Sequence, residues 1–588
     1  MTIFEANITP SVSDFLNDLL KGISVLEDAN QKIFETSGIK LFFSCQFELD
    51  FFKEALTSHN IEEPDRGEYG DFQTNANLAQ AVVVFLKKQN IDPKVIIEPT
   101  CGKGNFILAA LEAFLNIQYV IGVEIYKPYT WEVKFNILRF YLEYPRATKP
   151  VIEIIHSNVF DFDFKEVASK FVMDEVLIIG NPPWVTNSKL GSLESSNLPP
   201  KSNFKKHNGF DAITGKGNFD IGEFITLMML DAFHQSNGNF AFLVKNAVIK
   251  NIVFDQKQRR YNVSNLQKLT IDSKKEFNVS VESALLFCSL NTQPQFTCAE
   301  FVFYQPDTPV NQFGWIGEKF VSNLDFYANG SDIDGVCPFE WRQGIKHDLS
   351  SIMELEKVNG HFINGFQEEI ILEEDLVFGL LKSSDLKQPV VDKTRKFTIV
   401  TQRKIGEDTG FIQKKYPNIY NYLTKNKPQF DLRKSSIYNN KPDFSIFGIG
   451  DYSFSPYKIC ISGLYKTFTF TLVLPQNAKP IMLDDTCYLL GFQDLEFATY
   501  TLILLNSDKS KKLLQAITFS DAKRTFTKDV LMRIDLYKLA LQFPETLIQQ
   551  SLNNLNEAYS LNVDDGKWEQ FLYSMKPKEK VKQMLLFE

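Results

Sequence analysis

The sequence predicts an α/β protein: a parallel sheet with flanking helices, preceded by a helical extension and followed by a second, mixed α/β region. Three observations carry this reading. Short apolar, β-rich runs occur at residues 95–97, 119–123, 151–156 and 176–180, and such runs read as buried strands of a parallel sheet. The first run leads into Glu98-Pro99-Thr100-Cys101-Gly102-Lys103-Gly104-Asn105-Phe106 and then a helical segment, 107–114; strand, glycine loop and helix together make a nucleotide cradle. The fourth run, Val176-Leu177-Ile178-Ile179-Gly180, stops at Asn181-Pro182-Pro183-Trp184. In open α/β sheets, ligands bind just beyond the carboxyl ends of the strands, which is where this tetrapeptide falls.

Composition bounds the rest. A chain of 588 residues exceeds one ordinary domain. Its 44% hydrophobic content, with 53 Phe, allows each unit a core. Seven scattered cysteines without a Cys-x-x-Cys pair point to a reducing compartment and away from a zinc site, so no metal is expected. The start of the chain is polar and acidic, and no apolar run approaches membrane-spanning length. A cytoplasmic, nucleoid-associated protein with no membrane partner is expected. The net charge of −9 weakens a nucleic-acid reading without excluding it, because phosphate affinity needs a local basic surface only.

In chain order, residues 11–63 show helical periodicity: Phe15, Leu16, Leu19, Leu20, Ile23 and Leu26 recur at three- and four-residue spacing, with Ser13 or Asp14 as N-cap. Glu48, Asp50 and Lys53 read as solvated charges on one amphipathic helix. Residues 67–75 form a loop that ends in Gln73-Thr74-Asn75 and opens a helix from Leu78 to Leu86. In the cradle, Gly102 and Gly104 let backbone approach a ligand that a Cβ would exclude. Glu124 ends the second run 20 residues past Gly104, about the spacing at which an acid meets ribose hydroxyls. Ile125 follows it, and Asn158-Val159 follows the third run.

In Asn181-Pro182-Pro183-Trp184 the prolines stiffen the turn, and their carbonyls face no competing local N–H. Asn181 adds a side-chain carbonyl and Trp184 a π face. These suit a planar amine, with two acceptors for an NH2 group and a surface for its ring. A bland reading, a Pro-Pro turn beside a packed aromatic, fits the tetrapeptide alone.

The tetrapeptide resembles the (Asn/Asp/Ser)-Pro-Pro-(Tyr/Phe/Trp) motif of amino-methyltransferases that use S-adenosylmethionine (AdoMet). Glu98–Phe106 resembles the (Asp/Glu)-Pro-x-Cys-Gly-x-Gly-x-Phe motif of AdoMet-dependent DNA methyltransferases. Cofactor motif first, Asn-Pro-Pro second and a long tail after resembles the gamma order of adenine-N6 DNA methyltransferases of restriction–modification systems. The resemblance implies a Rossmann-like AdoMet-dependent domain over 66–300, after an N-terminal helical extension (1–65) and before a target-recognition domain with C-terminal helices (301–588). It implies AdoMet as cofactor, held by Thr74, Glu98, Pro99, Cys101, Gly102, Gly104, Phe106, Glu124, Ile125, Asn158, Val159 and Asn181. Asn158 stands where relatives have Asp, and Asn75 where Pro is common. Asn181, Pro182, Pro183 and Trp184 become the catalytic set, and Phe277 joins Trp184 in stacking on an extruded adenine.

Duplex DNA is the implied partner, with a cognate restriction endonuclease or another defence-system subunit as a further one. Candidate DNA contacts are Lys205 and Lys206 in the polar stretch 185–217, then Arg342, Lys346, Lys466, Lys523 and Arg524 in the tail. The tail's nearest matches to specificity regions are Trp-Arg-x-Gly at 341–344 and Asp-Ala-Lys-Arg at 521–524. Methylation of RNA or of a protein glutamine stays open as a second enzyme reading. So does a DNA- or AdoMet-binding component that is inactive alone.

Overall fold

The computed structural model describes residues 8–55, 73–185, 220–279, 281–519 and 524–577. It divides into two compact units, Met1–Phe320 and Val321–Glu588.

The first unit is built on a ten-stranded sheet. Its strands are β1 (Val95–Glu98), β2 (Tyr119–Glu124), β3 (Val151–His156), β4 (Val176–Gly180), β5 (Gly238–Lys245), β6 (Val263–Ile271), β7 (Ser283–Leu290), β8 (Thr297–Val302), β9 (Asn311–Ile316) and β10 (Lys319–Val321). They lie in the order β10-β9-β8-β6-β7-β5-β4-β1-β2-β3. From β3 to β5 all neighbours are parallel, whereas β7 is antiparallel to both β5 and β6. The parallel strands form because they are apolar on both faces: every residue of β1 and β4 is buried.

Helices α1 (Pro10–Leu19), α2 (Leu26–Ser37) and α3 (Gln46–Ala55) precede the sheet. Helices α4 (Ala76–Lys88), α5 (Asn105–Ala113), α6 (Lys127–Glu143), α7 (Phe164–Lys170), α8 (Ile221–Phe233), α9 (Asn246–Arg259) and α10 (Ser273–Phe277) follow among the strands. The first helix starts at Pro10 behind Thr9, not at Ser13 or Asp14, because proline is preorganised for the first turn.

The N-terminal helices belong to the first unit. Phe42, Phe43, Phe52 and Trp131 pack ring against ring at 5.1–6.0 Å, joining α3 and its preceding loop to α6. Lys134 is buried against them, its Nζ donating to the carbonyls of Leu41 (3.0 Å) and Phe42 (2.7 Å); burial pulls its pKa down to about 7. Glu48 corrects the expectation of a solvated charge. It is buried, accepts the Ser44 N–H at 2.8 Å and pairs with Lys127 of α6 at 2.6 Å. Ile39 pairs in parallel with Ile152, Lys40 N–H donating to Ile152 and Ile152 N–H to Gly38, so this segment covers the outer edge of β3.

The unit break falls beyond the expected residue 300 because β8, β9 and β10 continue the sheet past β6. The second unit holds a five-stranded and a six-stranded sheet. Helices from Leu495–Leu505 to Trp568–Met575 share one apolar core with the five-stranded sheet.

Candidate active site

The cradle assembles at the carboxyl ends of β1, β2 and β4. After β1 the loop turns through Gly102 (φ +50°) and Gly104 (φ +81°), left-handed conformations that side chains disfavour. Space enforces the same choice. A Cβ on Gly102 would lie 2.5 Å from Gln73 Oε1, and one on Gly104 2.2 Å from Val133 Cγ2. The loop is pinned by Cys101 N–H to Val123 O (2.9 Å) and by Gly102 N–H to Glu124 Oε2 (2.8 Å).

Glu124, buried, spends its other oxygen on the Tyr126 N–H (2.8 Å), so both oxygens hold backbone and the carboxylate is fixed in place. Glu98, at the end of β1, is only 2% exposed, and its Oε2 has no hydrogen-bond partner among the described residues. Burial, seconded by the nearby Glu124 charge, raises its pKa well above the ordinary carboxylate value, while the Ile107 N–H at the start of α5 opposes this. A buried carboxyl with an open lone pair costs free energy unless a donor arrives. Cys101 is buried beside both acids, and its thiol is pushed up by burial, then by Glu124 and Glu98.

The segment before α4 lies on this cradle. Gln73 Oε1 accepts the Lys103 N–H at 3.2 Å, and Thr74 O accepts Asn105 Nδ2 at 2.7 Å. Thr74 Oγ1 in turn accepts Asn181 Nδ2 at 3.2 Å. Thr74 thus bridges the glycine loop and the Asn-Pro-Pro-Trp turn, which brings the two motifs into one site. The Asn181 amide nitrogen is turned to Thr74, which leaves the amide oxygen directed away from it. Asn75 caps α4 by accepting the Leu78 N–H (2.8 Å) and donates to Glu276 Oε2 (3.1 Å), tying this segment to α10. Pro182 and Pro183 lie close to the first turn of α8, which Asp220 caps while pairing with Lys245 at 2.5 Å.

Other expected residues fall as follows. Pro99 and Phe106 are buried, Phe106 in the core at 1% exposure. Ile125 is half-buried, and its carbonyl accepts from His156 Nε2 at 3.0 Å. Asn158 Oδ1 accepts the Phe160 N–H at 3.1 Å, a local turn that directs the side chain, and Val159 is buried.

The two expected stacking rings lie against one another. Trp184 is buried, its indole N–H donating to Leu243 O of β5 at 3.3 Å, and Phe277 meets it edge to face at 4.9 Å and 68°. A base held between two rings needs a stacking gap on each, and these rings fill that gap with one another. A buried indole needs a partner for its N–H, and the β5 carbonyl supplies one.

In the tail, Arg342 is engaged by Glu340 and lies over the Tyr452 ring; Arg524 donates to Asp485 O (2.7 Å) and Oδ2 (3.2 Å). Lys346 lies 3.5 Å from Asp348, and Lys466 is exposed. Lys205, Lys206 and Lys523 lie outside the described residues. The sequence marks Gln73-Thr74-Asn75 as the end of a loop that opens a helix but assigns no site role to Gln73 or Asn75; the cap is Asn75, and Gln73 holds the glycine loop. Among the described residues no His, Cys, Asp and Glu cluster could hold a metal, and no helix is long and apolar enough to cross a membrane.

A parallel sheet ordered β3-β2-β1-β4-β5 with an antiparallel β7 inserted before β6, bearing a glycine cradle and an Asn-Pro-Pro turn, has the Rossmann-like methyltransferase fold. The chain belongs to the type II methyltransferases: it is 37% identical over 489 residues to the Type II methyltransferase M.NspV of Nostoc sp., covering 82% of this chain and 99% of that one. No protein-family model matches. Among solved structures, it is similar to the type IIL restriction–modification enzyme MmeI in complex with DNA (11% identity, 85% of this chain and 74% of that one, TM-score 0.48). It is also similar to a class I S-adenosylmethionine-dependent methyltransferase from Listeria monocytogenes (14% identity, 50% and 91%, TM-score 0.29).

Proposed function

We propose that the chain is a site-specific DNA methyltransferase that moves the methyl group of AdoMet to the exocyclic N6 of an adenine swung out of duplex DNA. The observation that carries this reading is the Thr74 bridge, which joins the glycine cradle to Asn181 in one site. The kinship with a type II methyltransferase supports methyl transfer, and the aromatic Asn-Pro-Pro-Trp turn supports a planar amine as acceptor.

The residues present fit the cofactor. Glu98 offers its ammonium group a buried oxygen that has no hydrogen-bond partner among the described residues, and Gly102 and Gly104 let the loop turn tightly against Gln73 and Val133. Glu124, locked by two backbone N–H groups, faces the site with its remaining lone pairs for ribose hydroxyls. Bound there, AdoMet supplies an electrophilic methyl on a sulfonium that is a good leaving group.

The protein's own work is to make a weak nucleophile reactive. An adenine amino nitrogen delocalises its lone pair into the ring. The Asn181 side-chain oxygen and the Pro182 carbonyl accept its two hydrogens, drawing the nitrogen toward tetrahedral geometry and localising the lone pair. Thr74 fixes the Asn181 amide so that its oxygen, not its nitrogen, is presented. No group on the chain needs to bond covalently to substrate; catalysis is positioning and electrostatics. Trp184 and Phe277 provide the stacking surface that offsets lost base stacking, and admitting the base requires their edge-to-face contact to part.

The test is methyl transfer to genomic DNA by wild type and Asn181→Ala, with the modified base identified after digestion. The variant should lose about two orders of magnitude or more in rate while retaining the cofactor. An undiminished rate, or a methyl group on cytosine, on RNA or on protein glutamine, would overturn the reading.

A further inference from the structure

We infer that the turn Arg403-Lys404-Ile405-Gly406 in the second unit, with the basic groups seated beside it, is a duplex-DNA contact surface. The inference rests on the DNA reading above and concerns residues that the sequence patterns did not single out. In a protein of net charge −9, residues 393–441 hold twelve lysines and arginines against three acids. Four of these bases are used internally: Arg395 pairs with Asp385, Lys396 with Glu354, Lys425 with Glu368 and Lys427 with Asp443. Arg403, Lys404, Lys414, Lys415, Lys434 and Lys441 are exposed and have no carboxylate partner among the described residues.

The turn is built, not loose. Glu407 Oε2 accepts the N–H of Arg403 (2.6 Å) and of Lys404 (3.2 Å), so this acid holds backbone, and neither basic side chain is drawn onto it. Gln402 Nε2 closes the turn on Glu407 O at 2.5 Å, and Gly406 takes the left-handed conformation (φ +79°). The turn is then anchored to the segment 443–447. Thr401 Oγ1 donates to Phe444 O, Thr409 Oγ1 to Asp443 O, and the Ile446 N–H to Gln402 Oε1.

The same segment receives the second basic stretch. Arg433 donates to Ser445 O at 2.7 Å and lies 3.6 Å over the Tyr438 ring, and Tyr438 packs on Phe447. Lys434 and Lys441 are thereby held around the strip that carries Arg403 and Lys404. Lys346, an earlier DNA candidate, exchanges both backbone hydrogen bonds with Phe447 beside them, its ammonium 3.5 Å from Asp348.

Between these cations stand apolar side chains with no burial to explain them: Ile405 is 50% exposed and Leu432 78%. Exposed cations on an anchored backbone, Arg403 lying 4.5 Å over the Phe454 ring, beside exposed apolar groups match a duplex, whose phosphates need charge and whose thymine methyls and sugars offer apolar contact. The rigid anchoring also lowers the ordering cost of binding.

The test compares wild type, Arg403→Ala/Lys404→Ala and the conservative Arg403→Lys/Lys404→Arg. Binding of sheared, fluorescently labelled genomic duplex is measured as a function of salt, with AdoMet affinity and thermal melting read on the same samples. The alanine pair should bind duplex about tenfold more weakly near physiological salt, and the slope of log K against log salt should be shallower by about two. Cofactor affinity and melting should stay as in wild type, and the conservative pair should restore both slope and affinity. Unchanged affinity and slope in the alanine pair, while wild type binds duplex, would overturn the surface alone. Wild type that binds no duplex, or prefers single-stranded RNA through the same turn, would overturn the surface together with the DNA reading.

Discussion

Glu98→Gln is the perturbation that tests the cofactor half of the site most directly. The substitution keeps shape and removes charge. Glu98 is buried, has one oxygen without a hydrogen-bond partner among the described residues, and has a pKa raised well above its ordinary 4.5 by burial and by Glu124. A carboxylate there gains a charge-assisted bond when an ammonium arrives, about 1.5–3 kcal/mol. That corresponds to a roughly 10- to 150-fold loss of AdoMet affinity in the variant.

The raised pKa sets how the loss depends on pH. Binding needs the ionised form, so wild-type affinity should climb as pH rises toward the free-state pKa, with a proton released on binding, whereas the variant should stay flat. Stability runs the other way. A folded pKa above the unfolded value contributes stability in full below pH 4.5, and this is lost as pH rises through the folded pKa. The ligand-free variant should therefore gain on wild type in melting temperature as pH rises. Titration calorimetry at several pH values, in two buffers of different ionisation enthalpy, reads the proton directly. Equal affinity of the two proteins above neutral pH, or no buffer dependence in wild type, would refute the role given to Glu98.

Gly104→Ala should destabilise the fold by about 2 kcal/mol or more in chemical denaturation and abolish cofactor binding, since its Cβ meets Val133 in a left-handed backbone; adding Val133→Ala should recover part of the stability. Lys134→Met removes a buried ammonium whose pKa is lowered to about 7. Wild-type stability should rise between pH 7 and pH 10.5, where only the unfolded chain stays protonated, and that rise should vanish in the variant. Asn75→Ala loses a helix cap, about 1 kcal/mol by denaturation, and the bond to Glu276; kcat/KM for DNA should fall further than cofactor affinity does.

The strands β1, β2 and β4 were legible because they are apolar, almost wholly buried and end in acid or glycine, and β3 because of its apolar run. The cradle was legible for a similar reason: only glycine fits at 102 and 104, so local geometry leaves a mark in the sequence. The strands β8 to β10 were not, because they lie toward one end of the sheet and alternate partly exposed residues, as in Asn-Gln-Phe-Gly-Trp-Ile. Glu48 looked like a surface charge, since what buries it is the packing of two segments 79 residues apart in sequence. The same cause hid the Trp184–Phe277 contact, which joins residues far apart in the chain. Arg342 and Arg524 have the composition of DNA contacts, but Arg342 is engaged by its sequence neighbour Glu340 and Arg524 by Asp485, which only folding brings near, and the exposed bases of 403–441 stand out only once internal pairs are subtracted.

The strip around Ile39 that covers the rim of β3 has a consequence for how the chain is born. It leaves the ribosome more than a hundred residues before Ile152, the residue it hydrogen-bonds, and well before Trp131 and Lys134. The nascent chain therefore carries bare phenylalanines until their receptacle is synthesised, a window in which chaperone capture competes with folding. Trimming this leader would leave a naked sheet margin and an uncovered aromatic nest, so a shortened protein should be recovered as aggregates before its chemistry could be assayed.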